Sequence, residues 1–194
     1  MASARAKYAI PDAPYVLTLG TLEPRKNIHR VIRCFAKTVL EEKIDDLCLV
    51  LVGAKGWSYG EAFEELGRYP SLRKRIVLTG YVDLEDLAPL YSGALSFVYP
   101  SFYEGFGLPP LEAMKCGVPV ITSNTSSLPE VVGDAGIMVA PTDEDALSHA
   151  MLKIFRDSSL RARMSERSLA RAALFSWEKC VEETIRAYKI AIDS

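Results

Sequence analysis

Short apolar runs alternate with helical patterns along this chain of 194 residues. Most of these runs lack the period-2 alternation of a half-buried strand, which is expected when helices cover both faces of a sheet. The predicted strands are Tyr15–Leu19, Leu47–Val52, Ile76–Leu78, Ala94–Val98, Val118–Thr122 and Ile137–Val139. The pattern therefore indicates an α/β protein with about six strands.

The segments between the strands carry the spacing of amphipathic helices. After the first strand, one helical face is formed by Ile28, Val31, Ile32, Phe35, Ala36, Val39 and Leu40. Asn27 is the predicted N-cap of that helix, and Asp83 is expected to open a helix through Tyr91. Further helices are predicted at Asp145–Phe155, opened by Thr142 or Asp143, at Ser159–Leu174 and at Trp177–Ile192.

This alternation of strands and helices predicts right-handed βαβ crossovers. We therefore expect a Rossmann-like, doubly wound parallel sheet with helices on both faces. Residues 13–194 are expected to form this domain. Residues 1–12 are interpreted as a linker or start segment, because Met1–Lys7 contains no apolar run.

Charge and composition exclude several classes of function. The net charge is -2 and the pI is near 5.8, so nucleic acid is not an expected partner. The longest apolar run, Leu47–Ala54, is too short to cross a bilayer. The cysteines and histidines are widely spaced, which argues for a reducing compartment and against a transition-metal site. They are Cys34, Cys48, Cys116, Cys180, His29 and His149.

The most informative segment surrounds two glutamates, Glu104 and Glu112, which lie eight residues apart. Between them, Gly105-Phe106-Gly107 would let the backbone approach a ligand closely. Pro109 and Pro110 suit the first turn of a helix, where a missing N–H group is tolerated. The free N–H groups and the dipole of such a helix favour an anion. For an isolated Gly-X-Gly sequence, a capped helix with a flexible entry loop would be the simpler interpretation.

Four loops should meet at one edge of the sheet, because each of them follows the carboxyl end of a parallel strand. Ligands of such α/β sheets bind at this edge. They are Gly20–Lys26, Gly53–Trp57, Gly80–Val82 and the loop that holds Glu104. The first loop has one glycine after the strand and then Pro24-Arg25-Lys26, which disfavours a dinucleotide fingerprint. An arginine fork and a lysine charge before a helix suit a diphosphate, although such a pair on a loop can also be merely solvated.

The segment from Glu104 to Glu112 resembles the Glu-X7-Glu signature of the retaining glycosyltransferases of family 4, the group 1 glycosyltransferases with the GT-B fold. Companion motifs match in the same order, and the resemblance extends from about Tyr15 to the end of the chain. These motifs are Gly20-Thr21-Leu22-Glu23-Pro24-Arg25-Lys26-Asn27, Leu51-Val52-Gly53, Thr79-Gly80-Tyr81-Val82, Ser127-Leu128-Pro129-Glu130-Val131-Val132-Gly133 and Phe175-Ser176-Trp177-Glu178. The resemblance implies the C-terminal, donor-binding half of a GT-B enzyme.

The resemblance also implies roles for the two carboxylates and the loop between them. Glu112 would accept hydrogen bonds from the ribose hydroxyls, and Glu104 would face the donor sugar as a catalytic residue. Backbone groups that would contact the sugar or the distal phosphate belong to Gly105, Phe106, Gly107 and Leu108. Glu130 follows Ser126-Ser127 and is better interpreted as a helix-start residue than as a catalytic one.

For the diphosphate, the resemblance implies that Arg25 and Lys26 neutralise the leaving group, replacing the metal ion that other glycosyltransferase folds use. No metal and no other cofactor are therefore expected. Many members carry an arginine directly after the first-strand glycine, Gly20, but this chain has Thr21 there. The base would lie against loops that offer mainly backbone groups, at Gly53, Tyr81 and Val82.

The implied reaction moves a hexose, with retention, from a nucleoside-diphosphate sugar to a glycan or lipid-linked acceptor. The segment Thr21–Asn27 is similar to bacterial polysaccharide mannosyltransferases, which favours GDP-mannose, with UDP-glucose and UDP-N-acetylglucosamine as alternatives. An N-terminal acceptor-binding domain would be missing, and the helix Trp177–Ile192 would cross to it or pack on its own domain. We expect a cytoplasmic location, with peripheral membrane association through the missing domain.

Two other functions fit parts of the pattern. One is a stand-alone nucleotide-sugar-binding or regulatory module without catalysis. The other is a nucleotide-sugar epimerase of the GT-B fold, although such epimerases usually lack the arrangement seen from Glu104 onward.

Overall fold

The strands of the chain form a parallel sheet in the computed structural model, which describes residues 2–54, 56 and 60–193. The strands are β1 (Tyr15–Leu19), β2 (Cys48–Val52), β3 (Ile76–Gly80), β4 (Ser96–Tyr99), β5 (Val120–Ser123) and β6 (Ile137–Val139). Their order in the sheet is β3-β2-β1-β4-β5-β6, and every neighbouring pair is parallel. This is a doubly wound sheet whose strand order reverses between β1 and β4. The predicted fold class is confirmed.

Helices connect these strands as the sequence pattern predicts. They are α1 (Ala2–Lys7), α2 (Ile28–Glu41), α3 (Gly60–Gly67), α4 (Leu84–Ser92), α5 (Leu108–Lys115), α6 (Leu128–Val132), α7 (Glu144–Arg156), α8 (Ser158–Ala172) and α9 (Trp177–Ile192). The bounds predicted for α2, α4 and α7 to α9 agree to within two residues. The short helices α1 and α3 are additional to the prediction.

Each face of the sheet carries its own hydrophobic core. Along β1, Val16 lies in the core under α2 and α7, whereas Tyr15 and Leu17 lie in the core under α4, α5 and α6. Alternate side chains of a strand point to opposite faces, so a strand between two helical layers must be apolar throughout. This explains the continuous apolar run of β2, in which all five residues are buried.

The segment interpreted as a linker contains α1, and this helix packs against the domain. Ala4 and Ile10 are buried in the core that also holds α4. Lys7 Nζ lies 2.7 Å from the Asp83 carboxylate and 2.6 Å from that of Asp86. The first residue, Met1, lies outside the described part of the chain. A helix of six residues is too short to show a periodic hydrophobic pattern in the sequence. It is stabilised by its contact with α4, which the sequence does not reveal.

Asn27 occupies the predicted N-cap position of α2, and its carbonyl accepts the first hydrogen bonds of the helix, but its side chain does not cap the helix. Asn27 has a left-handed backbone (φ 60°), and its side chain makes no capping hydrogen bond. Its Nδ2 instead donates to the carbonyls of Pro100 (3.0 Å) and Pro141 (2.7 Å), while Arg30 donates to its Oδ1 (2.8 Å). The side chain therefore ties the start of α2 to the loops after β4 and β6. By contrast, Asp143 caps α7 as predicted, accepting from the Ala146 N–H at 2.9 Å.

Candidate functional site

The loops after β1, β2, β3 and β4 lie side by side, because these four strands are neighbours in the sheet. Backbone hydrogen bonds link the strand ends, from Gly20 N to Val52 O (2.8 Å) and from Gly53 N to Gly80 O (2.9 Å). The four loops named from the sequence thus meet at one edge. Trp57, at the end of the predicted second loop, lies outside the described residues.

The ends of β1 and β2 approach each other so closely that Gly53 has no room for a side chain. A Cβ atom on Gly53 would lie 2.1 Å from the carbonyl oxygen of Gly20, and the φ of Gly53 is +147°, a conformation that other residues rarely adopt. A Cβ atom on Gly20 would lie 3.4 Å from Cδ and Cε of Lys26. The lysine stem therefore runs across Gly20, and these glycines leave the space through which Lys26 reaches the site.

Arg25 and Lys26 converge on Glu104. Lys26 Nζ lies 2.7 Å from Glu104 Oε1, and an Arg25 guanidinium nitrogen lies 3.0 Å from Glu104 Oε2. Arg25 also pairs with Glu23 at 2.6 Å. The cations belong to a 3-10 turn after β1, and the carboxylate belongs to the loop after β4, across the point where the strand order reverses. The structure thus brings together the three residues that were predicted as catalytic.

The carboxylate of Glu104 is buried but stays ionised. Burial by itself raises the pKa of this group, but the hydrogen bond and the charge of Lys26, together with other hydrogen bonds, outweigh it, so the pKa of Glu104 lies below its usual value. The Lys26 side chain is 11% exposed, whereas that of Arg25 is 39% exposed. Since Glu23 and Glu104 balance Arg25 and Lys26, an arriving phosphate would compete with Glu104 for the two cations.

Two serines fasten the Glu104 loop to the start of α6. The Glu104 N–H donates to Ser126 Oγ at 3.0 Å, and Ser126 has a left-handed backbone (φ 53°). Ser127 Oγ contacts the carbonyls of Glu104 (3.0 Å) and Phe106 (2.7 Å). Ser127 begins the Ser127–Gly133 motif and Ser126 precedes it, and neither serine was predicted to have a role in the site. Glu130 lies in the first turn of α6, as predicted.

The helix α5 begins at the end of this loop. Gly107 precedes it with a φ of +108°, which favours glycine, and no side chain among the described residues caps the helix. The N–H groups of Phe106, Gly107 and Leu108 donate no hydrogen bond within the described part of the chain. Phe106 and Leu108 are exposed, and Gly105 is exposed beside them. Gly107 itself is buried, so the exposed residues of this loop at the helix N-terminus are Gly105, Phe106 and Leu108.

Glu112 lies on α5, apart from the ion cluster. Its Oε2 accepts a hydrogen bond of 3.0 Å from the hydroxyl of Tyr91, which is almost fully buried. Among the described residues, Glu112 shares no ion pair with Arg25 or Lys26. The two glutamates of the motif thus have different partners, one cationic and one neutral, which fits different roles.

The loop after β3 holds one buried and one exposed side chain at this edge. Val82 is buried in the core, while Tyr81 is 77% exposed. The Asp83 N–H donates to the hydroxyl of Tyr8 at 3.0 Å, so the segment that contains α1 holds this loop in place. Thr21, in the loop after β1, is exposed at the same edge.

Buried tyrosines of the site were missing from the sequence prediction. Tyr99, the last residue of β4, accepts a hydrogen bond from Lys26 Nζ, and Tyr91 holds Glu112. Neither residue was assigned a role from the sequence, where Tyr91 was only the end of a predicted helix and the fourth strand was predicted to end at Val98. A tyrosine in place of phenylalanine at the carboxyl end of a central strand was the only signal in the sequence.

Two other kinds of feature, a metal site and a membrane-spanning helix, are absent from the described residues. No group of three or more His, Cys, Asp or Glu side chains is arranged to hold a metal ion. None of the helices in this part of the chain combines the length and apolar character that crossing a bilayer requires.

Comparison with known proteins places this geometry in a family. The family model described as glycosyl transferases group 1 matches residues 2–171. The chain therefore belongs to the group 1 glycosyltransferases, which confirms the resemblance seen in its motifs.

Among curated relatives, the O-antigen chain mannosyltransferase B of Escherichia coli is 47% identical over 184 residues, covering 95% of this chain and 48% of the relative. A serotype-specific mannosyltransferase, WbdA, of the same species is 34% identical over 196 residues, covering 99% of this chain and 23% of the relative. The chain thus spans about half the length of the first relative and about a quarter of the second.

Solved structures show the same architecture. A sucrose-phosphate synthase from Thermosynechococcus elongatus superposes with a TM-score of 0.81 at 32% identity, covering all of this chain and 49% of that one. The lipopolysaccharide glycosyltransferase WaaG superposes with a TM-score of 0.75 at 24% identity, covering 90% of this chain and 47% of that one. These neighbours are GT-B glycosyltransferases, so the predicted half of a GT-B fold is confirmed.

Proposed function

We propose that this chain is the donor-binding half of a retaining, metal-independent glycosyltransferase that moves a hexose from a nucleoside-diphosphate sugar. The observation that carries the proposal is the convergence of Lys26 and Arg25 on Glu104, across the point of strand reversal. Ligands of open α/β sheets bind at this position, and two cations beside an uncapped helix N-terminus suit a diphosphate. The cations supply the positive charge that a metal ion supplies in other glycosyltransferase folds.

GDP-mannose is the donor that we propose. The two relatives above are both named mannosyltransferases, and the first is 47% identical across nearly all of this chain. UDP-glucose is the main alternative, because a more distant neighbour of the same fold was solved in complex with that nucleotide sugar. Gly53 has no side chain and Val82 is buried, so of these three residues only the exposed Tyr81 offers a side chain to guanine or uracil.

We also propose that the acceptor site is formed by residues that are not part of this chain. The first relative is about twice as long as the matched segment, and α9 carries apolar side chains that the described residues leave exposed. Those more than 45% exposed are Trp177, Val181, Ile185, Tyr188, Ile190 and Ile192. We propose that an N-terminal domain packs on this helix and binds a glycan or lipid-linked acceptor at the cytoplasmic face of the membrane.

Positioning and electrostatics would carry most of the catalysis. As the diphosphate takes up Lys26 and Arg25, the carboxylate of Glu104 would lose its cation partners and face the donor sugar. An ionised carboxylate there would stabilise positive charge that develops at the anomeric carbon while the leaving group departs and the acceptor attacks on the same face. Glu112 would hold the ribose, with its direction set by Tyr91.

Calorimetric titration of the chain with GDP and UDP, with and without EDTA, tests the donor-site proposal. We expect saturable binding that EDTA does not change, and tighter binding of GDP than of UDP. Binding that requires magnesium would contradict metal independence, and tighter binding of UDP would contradict the choice of donor. Absence of binding by either nucleotide would overturn the proposal as a whole.

A second test concerns transfer. We expect the 194-residue chain alone to transfer no sugar, because the acceptor pocket and the closure that excludes water would require the other domain. The assay follows radiolabelled GDP-mannose with glycan acceptors and compares this chain with its longer parent protein. Transfer by the chain at a rate near that of the parent would show that the acceptor site lies within these residues.

A further inference from the structure

The buried tyrosine at the end of β4 contacts the central cation of the site. Tyr99 is 1% exposed, and its hydroxyl accepts a hydrogen bond from Lys26 Nζ. The same nitrogen lies 4.8 Å from the centre of the Tyr99 ring and 2.7 Å from Glu104 Oε1. Lys26 therefore reaches Glu104 along the edge of a side chain that belongs to the sheet.

The Tyr99 ring has no freedom to follow a moving lysine. It stacks on Phe97 with ring centres 5.7 Å apart and planes inclined by 22°. Phe97 in turn meets Tyr91 edge to face, with centres 5.3 Å apart. Tyr91, Phe97 and Tyr99 are all buried in the core between the sheet and the helices α4 and α5. This packing holds the hydroxyl of Tyr99 in one place at the carboxyl end of β4.

A lysine, by contrast, has a long and flexible stem whose charge can occupy many positions. The glycine at position 20 leaves space above the stem but does not direct the ammonium group. Glu104 attracts the ammonium group but is itself carried by a loop. Among the contacts that the described residues make with Lys26 Nζ, the hydroxyl of Tyr99 is therefore the acceptor whose position does not depend on the loops.

We propose that Tyr99 is a positioning residue for the donor site, which holds the ammonium group of Lys26 where the diphosphate of the nucleotide sugar binds. The inference rests on the proposed function. Tyr99 does not touch the reacting atoms and acts through Lys26. Burial, followed by the charge of Glu104 and a hydrogen bond to that carboxylate, raises the pKa of Tyr99, so the hydroxyl keeps its proton and remains a neutral partner for the lysine.

Substitution of Tyr99 by Phe removes the hydroxyl and keeps the ring. We expect binding of GDP, or of UDP if that binds the wild-type chain more tightly, to weaken roughly tenfold, as for loss of a hydrogen bond to a charged group. The matched control is Tyr15→Phe on the neighbouring strand, in which the lost hydroxyl donates to the Leu90 carbonyl at 2.6 Å within the same core. Thermal unfolding should show both variants folded, and only Tyr99→Phe should bind more weakly.

A double-mutant cycle with Lys26→Met separates positioning from a general loss of structure. If Tyr99 acts through Lys26, then Tyr99→Phe will change nucleotide affinity little in the Lys26→Met background, measured with a nucleotide concentration high enough to saturate the weaker variants. A full tenfold effect in that background would overturn the inference, as would a folded Tyr99→Phe variant that binds as tightly as the wild type. If the wild-type chain binds neither nucleotide, the proposed function fails together with this inference.

Discussion

Two clusters of glutamate and basic residues in this protein use the same chemistry for different purposes. In the site cluster, defined by Glu23, Arg25, Lys26 and Glu104, a buried carboxylate meets two cations. In the helix cluster, defined by Arg30, Arg33, Glu65, Arg68 and Glu144, buried Glu65 also meets two cations. Both central carboxylates have a lowered pKa.

The clusters differ in where their members are attached. Arg33 forms a two-pronged pair with Glu65, at 3.0 and 2.7 Å, and Tyr69 adds a hydrogen bond of 3.2 Å. Arg33 lies on α2 and Glu65 on α3, and a further pair at 2.9 Å joins Arg33 to Glu144, which begins α7. Every partner belongs to or borders a helix, so the cluster fastens three helices together.

In the site cluster, the cations belong to a short 3-10 turn and the carboxylate to a loop, at the carboxyl edge of the sheet. Beside them lie a glycine pair that admits no side chain and a helix start whose N–H groups remain available. An ion pair by itself therefore says little about function. Its attachment to strand-end loops distinguishes a ligand site from a helix clamp.

The largest expected effect is on stability, in the helix cluster. Glu65→Ala should lower the free energy of unfolding by about 3 kcal/mol, because Arg33 loses the partner that compensates its partial burial. Nucleotide affinity should stay unchanged, since the substitution lies outside the site. Urea unfolding and GDP titration measure the two quantities.

The control for this substitution is Glu61→Ala, also on α3, where the carboxylate is exposed and, within the described part of the chain, pairs with the His29 ring at 3.3 Å. Its effect on unfolding should stay within about 0.5 kcal/mol. A loss of nucleotide binding in a folded Glu65→Ala variant would remove the distinction between the two clusters.

The next effect in size is on affinity, within the Glu-X7-Glu motif. Glu112→Ala should weaken GDP binding by about 1.5–3 kcal/mol, as expected when a charged acceptor of ribose hydrogen bonds is lost. Glu104→Gln should bind GDP at least as tightly as the wild type, because it frees Lys26 and Arg25, and it should abolish transfer in the longer parent protein.

Glu130→Ala provides the control, since Glu130 is an exposed glutamate in the first turn of the neighbouring helix α6. It should leave GDP affinity unchanged. Equal losses of affinity in Glu112→Ala and Glu104→Gln would refute the assignment of separate roles to the two carboxylates.

The smallest expected effect is a difference in pH dependence. The pKa of Glu65 lies below its ordinary value of 4.5, chiefly because of the Arg33 hydrogen bond. A lowered pKa in the folded state means that the stabilisation is fully present above 4.5 and disappears as the pH falls through the folded value. Wild-type and Glu65→Gln chains should thus differ in stability near neutral pH and converge in acid. Urea unfolding from neutral to acid pH measures this difference in the free energy of unfolding. A difference that stays constant over the whole range would show that the titration of Glu65 plays no part.

Much of the fold follows from the sequence alone. The apolar runs predict the six strands because strands covered on both faces need apolar residues throughout, and β1, β6 and α9 have the predicted bounds. The site edge also follows, because parallel strands bring their carboxyl ends together. The group 1 motifs identify Glu104, Arg25 and Lys26 as neighbours before any distance is known, and the structure joins them in one cluster.

The tertiary structure alone decided how these residues are held. The directions of Asn27, Tyr91 and Tyr99 depend on partners that lie 114, 21 and 73 residues away along the chain, as their hydrogen bonds to Pro141, Glu112 and Lys26 record. A hydrophobic pattern can predict that a tyrosine is buried, but it does not predict which residue its hydroxyl will contact. Likewise, a short helix such as α1 forms where another element gives it a surface. Local propensity therefore determined the elements and their order, whereas packing between distant segments determined which polar atoms meet at the site.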